Sequence, residues 1–326
     1  MEREISYVQA IAEGLIQAME ADNRIFLIGE GVDNVTGIYG IVLPAYRKFG
    51  EKSVIDTPLS ENGLTGFVIG AAMDGMRPVL FHQRNDFMLL AMDQLVNNAA
   101  KLRYMSNEKQ KAPLTIVSLI ARKAGEGAQH SQSLQTLFAH IPGLKVVMPA
   151  SPYNAKGLLA SAIHDDDPVI VLYHRDLFEE RGFVPEALYE VPLGKSFLVR
   201  SGNDITIIAV SATVKDALRA AEEMGEEISF DLIDLVSIRP FDKATILESV
   251  KKTGKVIVVD TSWKSFGISA EIVAFITEEA FPFLKAPPIR IALPECPAPA
   301  SQAAARYYHP NSEMITEAIS RISRIG

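Results

Sequence analysis

Two segments place a proton-transferring side chain where an open parallel sheet would present it. Glu61 stands in DTPLSENG (56–63), between a strand-like run and a small-residue helical pattern. Open parallel sheets bind ligands beyond the carboxyl ends of their strands, so a carboxyl group there is sited for acid–base work. The plainer alternative is that Ser60 caps the helix and Glu61 favours its positive end. His130 stands in GAQHSQSL (127–134), after the apolar run PLTIVSLI (113–120). A helix is expected near 132–140; its positive end would disfavour the imidazolium and leave a ring able to accept or donate a proton. A loop histidine that only bridges backbone fits the same pattern. A third segment, DFMLLAMDQLVNNAAKLRYM (86–105), sets Asp93, Asn97, Asn98 and Lys101 three or four residues apart on an otherwise apolar helical pattern. Buried, such a stripe needs hydrogen-bond partners that a subunit interface would supply; otherwise it is a solvated edge.

Other chemistries lack their spacing. The six histidines are scattered and Cys296 is the only cysteine, so the chain carries no His-x₃-His or Cys-x-x-Cys pattern and no internal disulfide. Neither G-x-x-x-x-G-K-[ST] nor G-x-G-x-x-G occurs, which argues against a self-contained nucleotide site. Net charge is −8 without a basic block, so nucleic acid is not an expected partner. The start, MEREISYVQAIAEGL, lacks the pattern of a signal peptide. No stretch reaches the roughly 18 uninterrupted apolar residues of a membrane span. A soluble, cytoplasmic protein is expected.

The elements that must position these residues follow an alternating rhythm. Ile5, Val8, Ile11, Leu15 and Met19 mark an opening amphipathic helix. Strand-like runs follow at 24–30, 53–58, 77–82, 113–120, 144–149 and 168–174, separated by helical patterns. After a charged, Pro- and Gly-containing stretch, a second series has strands at 205–212, 228–235, 255–260 and 288–294 and a last helix near 311–324. Short apolar strands alternating with helices mean parallel sheets covered on both faces, joined by right-handed crossovers. The expected fold is α/β with two doubly wound domains, 1–185 and 204–326, and a linker at 186–203.

In order and spacing, FLIGEGV, DTPLSENG, DFMLLAMDQLVNNAAKLRYMS, AQHSQSL, HIPGLKVVMPASPYNAKGLL, DDDPVIVLYH, VSIRPFD and VVDTSWKSFGISAEI resemble the β subunit of thiamine-diphosphate-dependent 2-oxo acid dehydrogenases of the pyruvate, branched-chain and acetoin types. The resemblance covers essentially the whole chain. It implies a pyrimidine-binding thiamine-diphosphate domain followed by a transketolase C-terminal-like domain, and a cofactor held between α and β subunits. It assigns Glu61 to N1′ of the aminopyrimidine, His130 to the thiazolium side, and Phe87 to packing on the pyrimidine. Glu30, Leu59 and Gln83 belong to the same cofactor-binding wall. Leu114, Ala162, Ile163, Asp165 and Asp167 match a structural monovalent-cation (K⁺) site of some members, Asp167 replacing a common Asn. No G-D-G segment occurs, so an α chain must bring Mg²⁺ and the diphosphate half, implying an α₂β₂ tetramer; a lipoyl-bearing acyltransferase is a further implied partner and a small 2-oxo acid the substrate.

The chain departs from the family around the pocket. Gln83, Arg84, Asn85 and Asp86 stand where a more apolar stretch is usual, Arg122, Lys123 and Glu126 lie in a second loop, and Ser269 replaces a usual Gly. A hydroxylated or phosphorylated acceptor, or a repacked loop, would account for them. Two other readings stay open: the C-terminal half of a split transketolase, and a non-catalytic assembly subunit, against which Glu61 and His130 both speak.

Overall fold

In the computed structural model, residues 3–35, 37–121, 125–225 and 228–325 are described. They form two compact units: Met1–Ile120 with Leu137–Leu193, and Ala121–Thr136 with Gly194–Gly326. The second thus includes a piece of chain that precedes much of the first. Arg122 and Lys123 lie outside the described residues.

The first unit opens with β1 (Glu4–Ser6) and α1 (Tyr7–Ala21). Ser6 Oγ accepts from Gln9 N–H while Gln9 Oε1 accepts from Ser6 N–H, so both ends of a capping box are closed. Ile11, Leu15 and Met19 are buried as their spacing requires. There follow β2 (Ile25–Gly29), α2 (Leu43–Phe49), β3 (Val54–Asp56), α3 (Glu61–Met73) and β4 (Arg77–His82). After α4 (Leu102–Met105) come β5 (Thr115–Ile120), α5 (Gln135–Ala139), β6 (Lys145–Val147), α6 (Pro152–His164), β7 (Val169–His174) and β8 (Arg181–Phe183). The strands lie parallel in the order β6-β7-β5-β4-β2-β3, and β5 and β7 are wholly buried. Such strands read as continuous apolar runs because helices cover both faces.

The long helix expected over 86–105 runs without a break from residue 87 to 105, but its hydrogen-bond pattern changes along it: 3₁₀ at Phe87–Ala91, π at Gln94–Asn98, 3₁₀ at Ala99–Lys101, then α4. Gly143, at φ +101, comes so close that a Cβ on it would sit 1.9 Å from Ala100 O, an approach only glycine permits. The polar stripe bonds within itself, Asn97 to Asp93 at 2.7 Å and Asn98 to Gln94 at 3.0 Å, while Lys101 reaches Pro142 O.

In the second unit β9 (Phe197–Arg200) precedes β10 (Ile205–Ala209), α7 (Thr213–Met224), β11 (Phe230–Asp234), β12 (Ser237–Arg239) and α8 (Lys243–Thr253). Then come β13 (Val256–Trp263), α9 (Ile268–Ala280), β14 (Ile289–Leu293), α10 (Gln302–Tyr308) and α11 (Ser312–Ser323). The sheet order is β14-β13-β10-β11-β9, parallel except for β9. β9 lies inside the stretch read as a linker. It is a short, half-exposed edge strand with a register shift, so it carries little of the apolar signal that marks central strands. Among the described residues no helix is long and apolar enough to cross a membrane.

Candidate active site

Parallel register aligns the ends of three neighbouring strands: Gly29 of β2 faces Asp56 of β3 and Phe81 of β4. Glu30, Asp56 and Gln83 are thereby gathered at one sheet edge. Asp56 Oδ1 accepts from Gly31 N–H at 2.6 Å, and Gln83 Nε2 donates to Glu30 O at 3.4 Å. Gly31 takes φ +68, and a Cβ on Gly37 would lie 2.0 Å from Gly31 O, so the chain after β2 doubles back too tightly for a side chain. Burial raises the Glu30 carboxyl above its ordinary range, and the negative charges of Glu61 and Asp56 raise it further. Glu30 and Glu61 are therefore electrostatic neighbours, and a retained proton relieves their repulsion.

Glu61 begins α3, where Ser60 provides no side-chain cap hydrogen bond, so the capping alternative loses its main support. Thr65 Oγ1 donates to Glu61 O at 2.7 Å and fixes that first turn. Leu59 beside it is 79% exposed, and Phe67 and Leu90 are more than half exposed, which leaves this edge apolar and uncovered in the single chain. Phe87 starts the 3₁₀ turn beyond β4, its N–H on Arg84 O, and α3 packs against that turn.

Of the four polar departures after β4, Asn85 and Asp86 are buried. Asn85 N–H and Nδ2 both donate to Leu119 O, and Nδ2 donates to Asp86 Oδ2. They lock the ends of β4 and β5 together rather than lining a polar wall; Gln83 and Arg84 stay half-buried. The Arg84 and Arg175 guanidinium groups both stack on the Tyr39 ring.

His130 lies half-buried in a turn, its N–H on Gly127 O, in the second unit. The helix expected near 132–140 begins only at Gln135 and has five residues, so its N-terminus starts five residues after His130. Residues 131–134 stay out of the helix while Ser133 and Gln135 hydrogen-bond to Asp260 and Thr261 at the end of β13. Sequence reasoning did not single out these four residues, or Asp56. Their one sequence signal is that Asp56 and Asp260 end apolar runs.

The five residues matched to a cation site do come together, against protein cations. Ile163 O and Asp165 O accept from Arg77, Asp165 is bound by Lys145, and Asp167 pairs with Arg103. Ala162 O accepts from Asp165 N–H and Leu114 O from Val169 N–H. Each of these residues thus has a protein hydrogen-bond or ion-pair partner within the single chain. Among the described residues no group of three or more His, Cys, Asp or Glu could hold a metal.

Residues 3–180 match the transketolase pyrimidine binding domain and 194–315 the transketolase C-terminal domain. The chain is 38% identical to the 2-oxoisovalerate dehydrogenase subunit beta of Bacillus subtilis (strain 168), over 98% of each chain. It is equally identical, at 38%, to two others: the acetoin:2,6-dichlorophenolindophenol oxidoreductase subunit beta of Cupriavidus necator, over 100% of this chain and 99% of that one, and the pyruvate dehydrogenase E1 component subunit beta of B. subtilis, over 98% of each. A solved structure described as a split gene transketolase, inactive beta4 tetramer, matches with TM-score 0.79 at 19% identity, over 98% of this chain and 99% of that one; it speaks to fold alone.

Proposed function

Since the chain belongs to the family of 2-oxo acid dehydrogenase E1 β subunits, we propose that it works with an α subunit in an α₂β₂ complex that decarboxylates a 2-oxo acid with thiamine diphosphate. The observation that carries this reading is the meeting of Glu30, Glu61 and Asp56 at one sheet edge, with the Glu30 carboxyl raised by burial and then by the charges of Glu61 and Asp56.

These residues fit the pyrimidine half of the cofactor. Burial and the charges of Glu61 and Asp56 raise the Glu30 carboxyl, which favours a proton at this edge for a heteroaromatic nitrogen to share. Among the described residues Thr57 Oγ1, on the loop leading to Glu61, is buried and meets no hydrogen-bond partner, which suits a site that binds a polar group. The exposed Leu59, Phe67 and Leu90 suit a site that a second chain completes. Mg²⁺ and the diphosphate fall to that chain, because G-D-G is absent here. When bound, thiamine diphosphate supplies the nucleophilic carbon and the electron sink for decarboxylation.

The protein's share is proton handling and orientation. Glu61 would hydrogen-bond to N1′ of the aminopyrimidine, with the raised Glu30 carboxyl beside it. Phe87 packs on the ring, and Leu59 and Gln83 complete the wall. His130 handles a proton on the substrate side. The product acyl unit passes to an acceptor such as a lipoyl domain. The split-transketolase reading rests on a fold likeness at 19% identity and stands behind this one.

The test is C2 hydrogen–deuterium exchange of cofactor bound to the reconstituted complex, because it isolates activation from the substrate. Glu61→Gln keeps size and hydrogen bonding but cannot deliver a proton, so exchange should slow by orders of magnitude while the complex still assembles. Unchanged exchange would remove Glu61 from the mechanism.

A further inference from the structure

The stretch that carries His130 is fastened on both sides to the second unit. Upstream, Gly125 takes φ +70 and Gly127 φ +78; Cβ atoms there would lie 3.0 Å from Ala300 O and 3.7 Å from Ala300 Cβ. Downstream, Ser133 and Gln135 are buried and meet the end of β13. Ser133 Oγ donates to Gln135 Oε1 at 2.8 Å. Its single proton is then used, so in the 2.9 Å contact with Thr261 Oγ1 the threonine donates. Gln135 Nε2 spends its two protons on Asp260 Oδ1 at 3.0 Å and Thr261 Oγ1 at 3.2 Å. The ring closes with one consistent assignment of protons.

Asp260 accepts at both oxygens, and burial raises its carboxyl against the pull of these hydrogen bonds. Oδ1 also accepts from Ser262 N–H at 3.0 Å, and Oδ2 accepts from Ser269 N–H at 3.2 Å in the first turn of α9. Ile268 N–H donates to the same carboxylate. The positive end of α9 thus faces a fully buried carboxyl group, which in turn holds the glutamine. Gly267 is fitted to this: a Cβ there would sit 2.8 Å from Asp260 Oδ2 and 2.3 Å from Trp263 O. Such a network is costly to break and permits few geometries, which makes it suited to fixing a loop.

We propose that Gln135, Ser133, Asp260 and Thr261 are positioning residues for His130: the ring of hydrogen bonds fixes the turn three residues upstream of Ser133 and so sets where the imidazole is presented. This rests on the reading of His130 as an acid–base group. Misplacing a reacting group by about 1 Å can cost roughly 10²-fold in rate, within the roughly 10²–10⁴-fold that a positioned acid–base group contributes.

The test uses Gln135→Met, which keeps length and removes the bonds, and Thr261→Val, which removes one hydroxyl at nearly constant shape, so that failure of one to fold leaves the other. On the full chain, amide exchange of peptides spanning 125–136 and the pH profile of His130 carbethoxylation are followed by mass spectrometry. In the complex reconstituted with its α subunit, turnover is measured on pyruvate, 2-oxoisovalerate and acetoin, alone and combined with His130→Ala. The expected result is exchange at least about tenfold faster, a displaced carbethoxylation profile, turnover lowered about 10- to 100-fold, and no additional loss when His130 is already Ala. Unchanged exchange and profile, or losses that multiply with that of His130→Ala, would overturn the proposal. Normal turnover of His130→Ala alone would instead overturn the catalytic reading, while exchange and carbethoxylation still judge the fastening.

Discussion

Lys156 offers the sharpest test of what holds the first unit together. It lies on α6 with no exposed surface, and its ammonium donates to Glu13 Oε1 on α1 at 2.6 Å and to the carbonyls of Pro185, Ala187 and Glu186 at 2.8, 3.0 and 3.3 Å. Lys156→Met keeps the aliphatic stem but strands those acceptors. Breaking a buried ion pair costs about 3–5 kcal/mol, and here the lower end applies because Arg3 still binds Glu13. For a unit of roughly 180 residues each kcal/mol moves the melting point by about 2–4 °C, so a drop of about 6–12 °C is expected. The pH dependence has a definite sign. Burial pushes the Glu13 carboxyl up, but the hydrogen bonds from Arg3 and Lys156 outweigh it and hold it below the ordinary range. Its stabilisation is present above about pH 4.5 and lost as pH falls through the lowered value, and in the variant that acid loss should be shallower. Thermal unfolding of the full chain by circular dichroism from pH 3 to 8 measures both. A shift below about 2 °C at pH 7 would mean that water satisfies the carbonyls and the ammonium holds little.

Glu30→Gln should raise stability at pH 7 by about 0.5–1 kcal/mol while impairing cofactor activation, the opposed outcome of relieving a strained site; the gain should vanish below about pH 4.5, where the native carboxyl is protonated in both states. A matched loss of stability and activity would count against the acidic cluster. Burial holds the His82 imidazole down to about 4, so the native state loses stability as pH falls from about 6.5 toward that value; His82→Leu should flatten this part of the stability profile, and an unchanged slope would locate it elsewhere. Finally, calorimetry should find weak binding of thiamine diphosphate with Mg²⁺ to this chain alone and tight binding once the α subunit is present; tight binding to the isolated chain would refute the two-chain site.

Local pattern determined a good deal of this. Short, β-branched, mostly apolar runs such as 115–120 and 169–174 read as strands buried on both faces, and their alternation with helices points to a parallel sheet and its carboxyl edge. Glu61 was therefore legible as an edge carboxyl, and the order of long motifs identified the family. The π and 3₁₀ turns inside the 87–105 helix were not legible in its apolar spacing, nor was the close approach of Gly143 to Ala100 from 43 residues away in the chain. Nor was the burial of Asn85 and Asp86, whose polarity suggests a pocket wall until Leu119 is seen to bind them. Asp56 and Glu30 become neighbours only through strand register, and Gln135 meets Asp260 across 125 residues. Side-chain period and apolar pattern are local properties that a sequence states outright. Hydrogen-bond partners and electrostatic neighbours depend on which segments the sheet order brings side by side, and only the tertiary structure decides that.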